Sequence, residues 1–274
     1  MPSSVVAYQG RAGDRNNLGF PGALALATAL AQRLELPLEM IGQAGQALNQ
    51  GWKTELEAAR PDLNKLADHL SGQLLAGAKP VTVLNRCAAA IATIPCVVAR
   101  HPDVCVVWFD AHADLNTPAS STSGYLGGLA LSGPAGLWDS GFGRNLPLAS
   151  IVLVGSRDLD PFEVELVTSG KVRLVPADAP NIEDAVVQAA GDRPIYIHLD
   201  CDVLEPGLVP TDFRVEGGLS LQSLHAIFSA LAGTRLVGLE VAEFQYAWEG
   251  RLEPASPTGL VDAIQPVLTA VQRR

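Results

Sequence analysis

The sequence predicts an α/β protein with three layers, helix, sheet and helix, around a mainly parallel sheet of about eight strands. Three observations predict it. Apolar runs of strand length alternate with helical patterns from one end of the chain to the other. Several of those runs are apolar at every position, as strands covered on both faces are. No repeat, low-complexity tract or linker divides the chain, so residues 1–274 form one expected domain.

The elements follow in order. VVAYQ at 5–9 is the first strand, and GALALATALAQRL, after Pro21, is the first helix. LEMIG at 38–42 is the second strand. PDLNKLADHLSGQLLAG follows, with Pro61 placed in a first helical turn and a glycine at its end. VTVLN at 81–85 is a third strand, running into the start of a helix. Four more strands are VCVVWFD at 104–110, SIVLVGS at 150–156, VRLVP at 172–176 and IYIHLDCD at 195–202. SLQSLHAIFSALAG has Ser220 as its N-cap and Gly233 as its stop. RLVGLEVAEF at 235–244 is the last strand, and SPTGLVDAIQPVLTAVQ the last helix, with a kink expected at Pro266. The longest irregular stretch, about 115–148, follows a few residues beyond the end of the fourth strand. Ligands of parallel α/β sheets gather at the C-terminal ends of strands.

Composition narrows the function. Hydrophobic residues at 48% against 18% charged suit a compact globular chain. A net charge of −10 offers no global attraction to nucleic acid or anionic membranes. MPSSVVAYQGRAGDR lacks the basic and apolar regions of a signal peptide. The longest apolar run, CAAAIATIPCVVA, is too short to span a bilayer and contains Pro95. Cys87, Cys96, Cys105 and Cys201 are too sparse for a disulfide scaffold, so reduced thiols and a cytoplasmic location are expected.

Chemistry concentrates in two stretches. WFDAHADLNTP puts Asp110, His112 and Asp114 at every second position beyond an apolar strand. In extended chain these side chains converge, while Ala111 and Ala113 face away. Alone, the pattern fits a polar loop as well as a metal site. IYIHLDCDVLEP ends a second strand with Asp200 and Asp202, also two apart, with Cys201 turned to the core. Adjacent ionised aspartates repel unless a cation lies between them. Five convergent groups suit two divalent ions, and oxygen-rich ligation with one imidazole favours manganese over structural zinc.

DAHADLNTP, HLDCDVLEP, GGLS at 217–220 and GLEVAEF at 238–244 together resemble the signatures of the ureohydrolases, the arginase and agmatinase family. The resemblance runs from about residue 80 to the C-terminus in matching order. It implies an arginase-like fold, two Mn2+ ions and hydrolysis of a guanidino group by a metal-bridging hydroxide. Asp110, His112, Asp114, Asp200 and Asp202 fall on ligand positions, with Asp110 and Asp200 as bridges. Glu243 falls on the carboxylate that holds the substrate guanidinium, and Asp114 is the candidate to relay the hydroxide proton. Asn116 and Ser123 match positions that hold an α-carboxylate. Asp160 matches the residue that reads the α-amino group, with Glu163 assisting through water. This set favours an amino acid over agmatine.

Two positions depart from the family. Where its remaining histidine ligand is expected, this chain has Cys87, either a thiolate ligand or a small core residue left where a ligand was lost. A thiol there weakens manganese at that site. Gly127 stands where arginases carry a proton-shuttling histidine, and His198, deeper along its strand, does not obviously replace it. A cysteine at the ligand position resembles the branch of the family tied to D-cycloserine biosynthesis, which converts Nω-hydroxy-L-arginine to L-ornithine and hydroxyurea. That is the leading expectation. L-arginase is the runner-up, and a non-catalytic metal-binding homologue with a regulatory partner is the rival from another class. Homo-oligomers are common in the family, although no residue here dictates one.

Overall fold

The computed structural model describes residues 3–273. All eight expected strands form: β1 (Val5–Tyr8), β2 (Leu38–Ile41), β3 (Val81–Val83), β4 (Cys105–Phe109), β5 (Ile151–Val154), β6 (Arg173–Val175), β7 (Ile195–Asp200) and β8 (Leu236–Ala242). They build one sheet in the order β2-β1-β3-β8-β7-β4-β5-β6, and every pairing is parallel. The three-layer expectation holds. Every residue of β4, β7 and β8 is buried, which is why those runs are mainly apolar on both faces.

Among the described residues, seven α-helices cover the sheet: α1 (Gly19–Leu34), α2 (Trp52–Leu75), α3 (Ala90–Arg100), α4 (Pro161–Thr168), α5 (Ile182–Ala190), α6 (Leu221–Leu231) and α7 (Thr258–Gln272). α1, α5, α6 and α7 pack against one face of the sheet, and α2, α3 and α4 against the other. Helix α2 corrects the expectation at Pro61. The helix begins at Trp52, and Pro61 lies inside it. Leu56, Ala59, Leu63, Leu66 and Leu70 keep one apolar stripe through the proline, whose ring sits on the exposed face. Burial of that stripe outweighs the missing hydrogen bond. Helices α4 and α5, of 8 and 9 residues, are too short for a clear sequence pattern. Ser220 caps α6 as expected, its hydroxyl accepting the Ser223 N–H.

The strand order positions the site. The chain lays down β3 and β4 early, and β7 and β8 later enter between them. Four neighbouring strands, β3-β8-β7-β4, therefore end side by side, although they come from distant parts of the sequence. No helix among the described residues is long and apolar enough to cross a membrane.

Candidate metal centre

Each of those four strand ends delivers part of the site. Beyond β4, Asp110 is fixed by two donors. Trp108 Nε1 reaches Oδ2 at 2.9 Å, and the His112 N–H reaches Oδ1 at 2.7 Å. The chain then turns through Asp114, whose φ of 53° is left-handed, a conformation aspartate tolerates better than most residues. The N–H groups of Leu131 and Ser132 hold that turn by donating to the Asp114 carbonyl at 3.0 and 3.1 Å. At the end of β7, Asp200 Oδ1 accepts the Asp202 N–H at 2.7 Å. Asp202 Oδ1 accepts the Ala111 N–H at 3.0 Å, tying the β7 end to the β4 end. His112 Nδ1 lies 3.2 Å from both Asp110 Oδ1 and Asp202 Oδ2.

Beyond β3, the thiol of Cys87 donates to Asp200 Oδ2 at 2.8 Å and lies 3.1 Å from His198 Nε2. Cys87 thus points into the carboxylate cluster. Beyond β8, Glu243 adopts a φ of 65°. That turn aims its carboxylate back toward β3, where Oε1 accepts the Cys87 N–H at 3.0 Å and Oε2 accepts from Arg86 Nη1 at 2.8 Å. Backbone strain of about 1–3 kcal/mol at such a residue persists only where the surroundings fix it, as these two donors do.

Asp110, Asp114, Asp200, Asp202 and Glu243 are all buried. Burial, then repulsion from Asp202, pushes the Asp110 carboxyl up to about 7. Burial lifts Glu243 to about 7 against the opposing pull of Arg86. Asp114 and Asp200 rise for the same reasons, burial first and neighbouring carboxylates second. Cys87 rises through burial and then Asp200. Burial opposes a charged His112, but its contacts with Asp110 and Asp202 raise it overall. Burial also pushes against an ionised Asp202, yet His112 holds that carboxyl below its usual range. So many buried acids in one place call for positive charge.

Three groups of donor atoms lie within 4.8 Å of one another: Cys87–Asp110–Asp114, Cys87–Asp200–Glu243 and Asp110–His112–Asp202. Oxygen, one imidazole and one thiol suit small divalent cations, and Asp110 and Cys87 each belong to two of the three groups. The residues present therefore fit a two-ion site.

A cleft of about 210 Å³ opens beside this cluster. His112, Asp114, Asn116, Ser123, Asp160 and Glu163 all line it. Asn116 Nδ2 donates to Asp160 Oδ2 at 2.7 Å. Asp160 caps α4. Both oxygens of Glu163 are taken by backbone, accepting the N–H groups of Leu115 and Asp160 at 2.9 Å each. That carboxylate, lifted to about 6 by burial, ties the metal loop to α4. His198 is fully buried against Trp108, with ring centroids 3.5 Å apart. Its Nδ1 faces Glu240 Oε1 at 2.7 Å, and its Nε2 faces the Cys87 thiol at 3.1 Å.

Sequence reasoning missed two residues here. A Cβ built on Gly127 would lie 2.3 Å from the Tyr125 ring, so Tyr125 fills the space a histidine at 127 needs. The Tyr125 hydroxyl is buried without a hydrogen-bond partner, and other atoms of the residue line the cleft. Arg86 is also buried completely, beside Glu243, Asp212 and Asp14. Only its place next to Cys87 could have drawn attention to it.

A parallel α/β/α fold with a two-ion donor set at its central strand ends defines a class of metal-dependent hydrolases. Residues 52–249 match the Arginase family. The chain is a hydrolase of the arginase family. It is 36% identical to the N(omega)-hydroxy-L-arginine amidinohydrolase of Streptomyces lavendulae over 270 residues, covering 98% of each chain. It is 30% identical to an arginase of Glaciozyma antarctica over 255 residues, which is 84% of this chain and 70% of that one. Among solved structures, the arginase of Bacillus caldovelox superposes with a TM-score of 0.83 at 22% identity, covering 100% of this chain and 99% of that one.

Proposed function

We propose that the protein is a dimanganese hydrolase that cleaves the guanidino group of an arginine-like amino acid, Nω-hydroxy-L-arginine foremost, giving L-ornithine and hydroxyurea. The observation that carries the reading is Cys87. A thiol sits inside a carboxylate–imidazole cluster, 2.8 Å from Asp200, in a chain whose nearly full-length relative is named for that substrate. Cys87, Asp110, His112, Asp114, Asp200 and Asp202 would hold the ions, with the Cys87 site the weaker for manganese. When bound, the ions supply Lewis-acid charge and a water activated near neutral pH.

The chain's own residues do the rest. Glu243, held by Arg86 and the Cys87 N–H, turns its remaining lone pairs toward the guanidino nitrogens and orients the carbon for attack. Asp114, raised by burial and facing the cleft, takes the proton released from the attacking water and returns it to the leaving amine. Asn116 and Ser123 receive the α-carboxylate, Asp160 receives the α-ammonium, and Glu163 keeps this loop on α4. An N-hydroxyguanidine is less basic than a guanidine, so its carbon is the more open to attack. That suits a site in which Tyr125 occupies the space of the shuttle histidine. This chemistry is that of the D-cycloserine branch, it needs no nucleic acid or membrane, and a homo-oligomer is compatible with it.

Steady-state kinetics on N-hydroxy-L-arginine, L-arginine and agmatine test the proposal. A higher kcat/KM for the N-hydroxylated substrate is expected. A preference for arginine would make the protein an arginase, and no turnover with manganese in excess would leave a non-catalytic homologue.

A further inference from the structure

Arg86 has no part in the motifs that carry the family resemblance, yet it touches the carboxylate on which substrate recognition depends. Its side chain is completely buried, rare for arginine unless it is paired. Nη1 donates to Glu243 Oε2 at 2.8 Å and to Asp212 Oδ2 at 3.1 Å. Nε lies 3.5 Å from Asp14 Oδ1, and Asp14 is in turn held by Asn85 Nδ2 at 2.8 Å and the Ala12 N–H at 3.0 Å. A guanidinium does not deprotonate in proteins, so the charge beside Glu243 is permanent.

From this arrangement we infer that Arg86 is a specificity determinant: its fixed charge beside Glu243 disfavours a fully cationic guanidinium substrate and favours a less basic guanidino group. The inference rests on the proposed function, because it concerns which guanidino amino acid that same site prefers.

The physical reason is the state of Glu243 before any substrate arrives. Each of its oxygens already accepts one donor, from the Cys87 N–H and from the Arg86 guanidinium. A second guanidinium must share the carboxylate with the first, in a site shielded from water where like charges repel strongly. A less basic N-hydroxyguanidine gives up its proton more readily, avoids that repulsion in its neutral form and still donates N–H bonds to the free lone pairs. Asp14 and Asp212 offset part of the Arg86 charge. Asp14 is buried, whereas the Asp212 side chain is 21% exposed and is the part of the counter-charge a substitution can remove most gently.

The test compares Arg86→Gln, which keeps an N–H donor and removes the charge, with Arg86→Lys, which keeps the charge. In manganese-loaded protein, the kcat/KM ratio of N-hydroxy-L-arginine to L-arginine should fall about tenfold or more in Arg86→Gln, mainly through a lower KM for arginine. It should stay within about twofold of the parent in Arg86→Lys. Equal losses on both substrates with the ratio unchanged would mean that Arg86 merely braces Glu243, and would overturn the inference. If Arg86→Gln does not fold, Asp212→Asn carries the test with opposite sign. Loss of that counter-charge should raise the ratio about threefold or more, and an unchanged ratio overturns the inference. Calorimetric binding of L-lysine, a cation the enzyme cannot hydrolyse, separates this result from failure of the proposed function. Arg86→Gln, or the parent relative to Asp212→Asn, should bind it about tenfold or about threefold tighter whether or not either guanidino substrate is turned over, and equal affinities overturn the inference.

Discussion

Cys87 carries the reading at the scale of the residue, and its contacts define what its replacement should do. Its thiol spans Asp200 and His198, and it shares donor groups with Asp110, Asp114 and Glu243. Cys87→Ser removes the soft ligand and should lower manganese content by elemental analysis, while Cys87→His should raise it. Unchanged manganese in Cys87→Ser would mean that the thiol does not ligate. Gly127 makes a steric prediction. A histidine there must displace the Tyr125 ring, so Gly127→His should lose about 1–3 kcal/mol of stability in urea unfolding. No loss would mean that Tyr125 moves aside freely. The five oxygen and nitrogen positions stood out in the sequence as two short acidic stretches at strand ends, although the chain brings them together through the left-handed turn at Asp114 and the 3-10 turn at Cys201–Val203, not through extended alternation. The Arg86–Glu243 pair was not, because 157 residues separate its members.

Among the elements, the strands were the legible part, since runs buried on both faces are mostly apolar, with β4 uninterrupted and β7 and β8 broken only by His198, Asp200 and Glu240. The start of α2 was misplaced because proline favours a first helical turn, and only packing shows that the stripe from Leu56 onward continues through Pro61. Helix α4 matters most to the site. Its Glu163 accepts the Leu115 N–H just beyond Asp114, and Asp160 at its N-terminus accepts from Asn116. Glu163→Gln leaves one acceptor oxygen for two backbone N–H groups, so one of the bonds is lost, which should cost about 1–2 kcal/mol in chemical denaturation. It should also raise KM, because the metal loop loses its tie to α4. An unchanged KM in a destabilised protein would confine Glu163 to folding.

Taken as a whole, the molecule gathers five buried acids, Asp110, Asp114, Asp200, Asp202 and Glu243, at one point, and this couples stability to pH and to cations. Asp110 and Glu243 sit at about 7 in the fold against ordinary values of 3.8 and 4.5. The native state therefore keeps protons that the unfolded chain has already released. The stability these groups contribute is present below about pH 4 and is lost as pH rises through about 7. In the presence of a chelator, melting temperature should fall between about pH 5 and pH 7.5. Manganese at a hundredfold excess over its Kd should raise it by about 5–10 °C at pH 7.5, and by less at pH 5, where protons compete. An equal gain at both values would mean that the cation binds away from these carboxylates.

The identity of the substrate is settled most directly by measuring products. The manganese-loaded protein should be incubated in parallel with N-hydroxy-L-arginine and L-arginine, with ornithine, hydroxyurea and urea quantified in each. Ornithine and hydroxyurea in equal amounts from the first substrate, formed faster than ornithine and urea from the second, are the predicted result. Faster release of urea from arginine, or no ornithine from either, would contradict it.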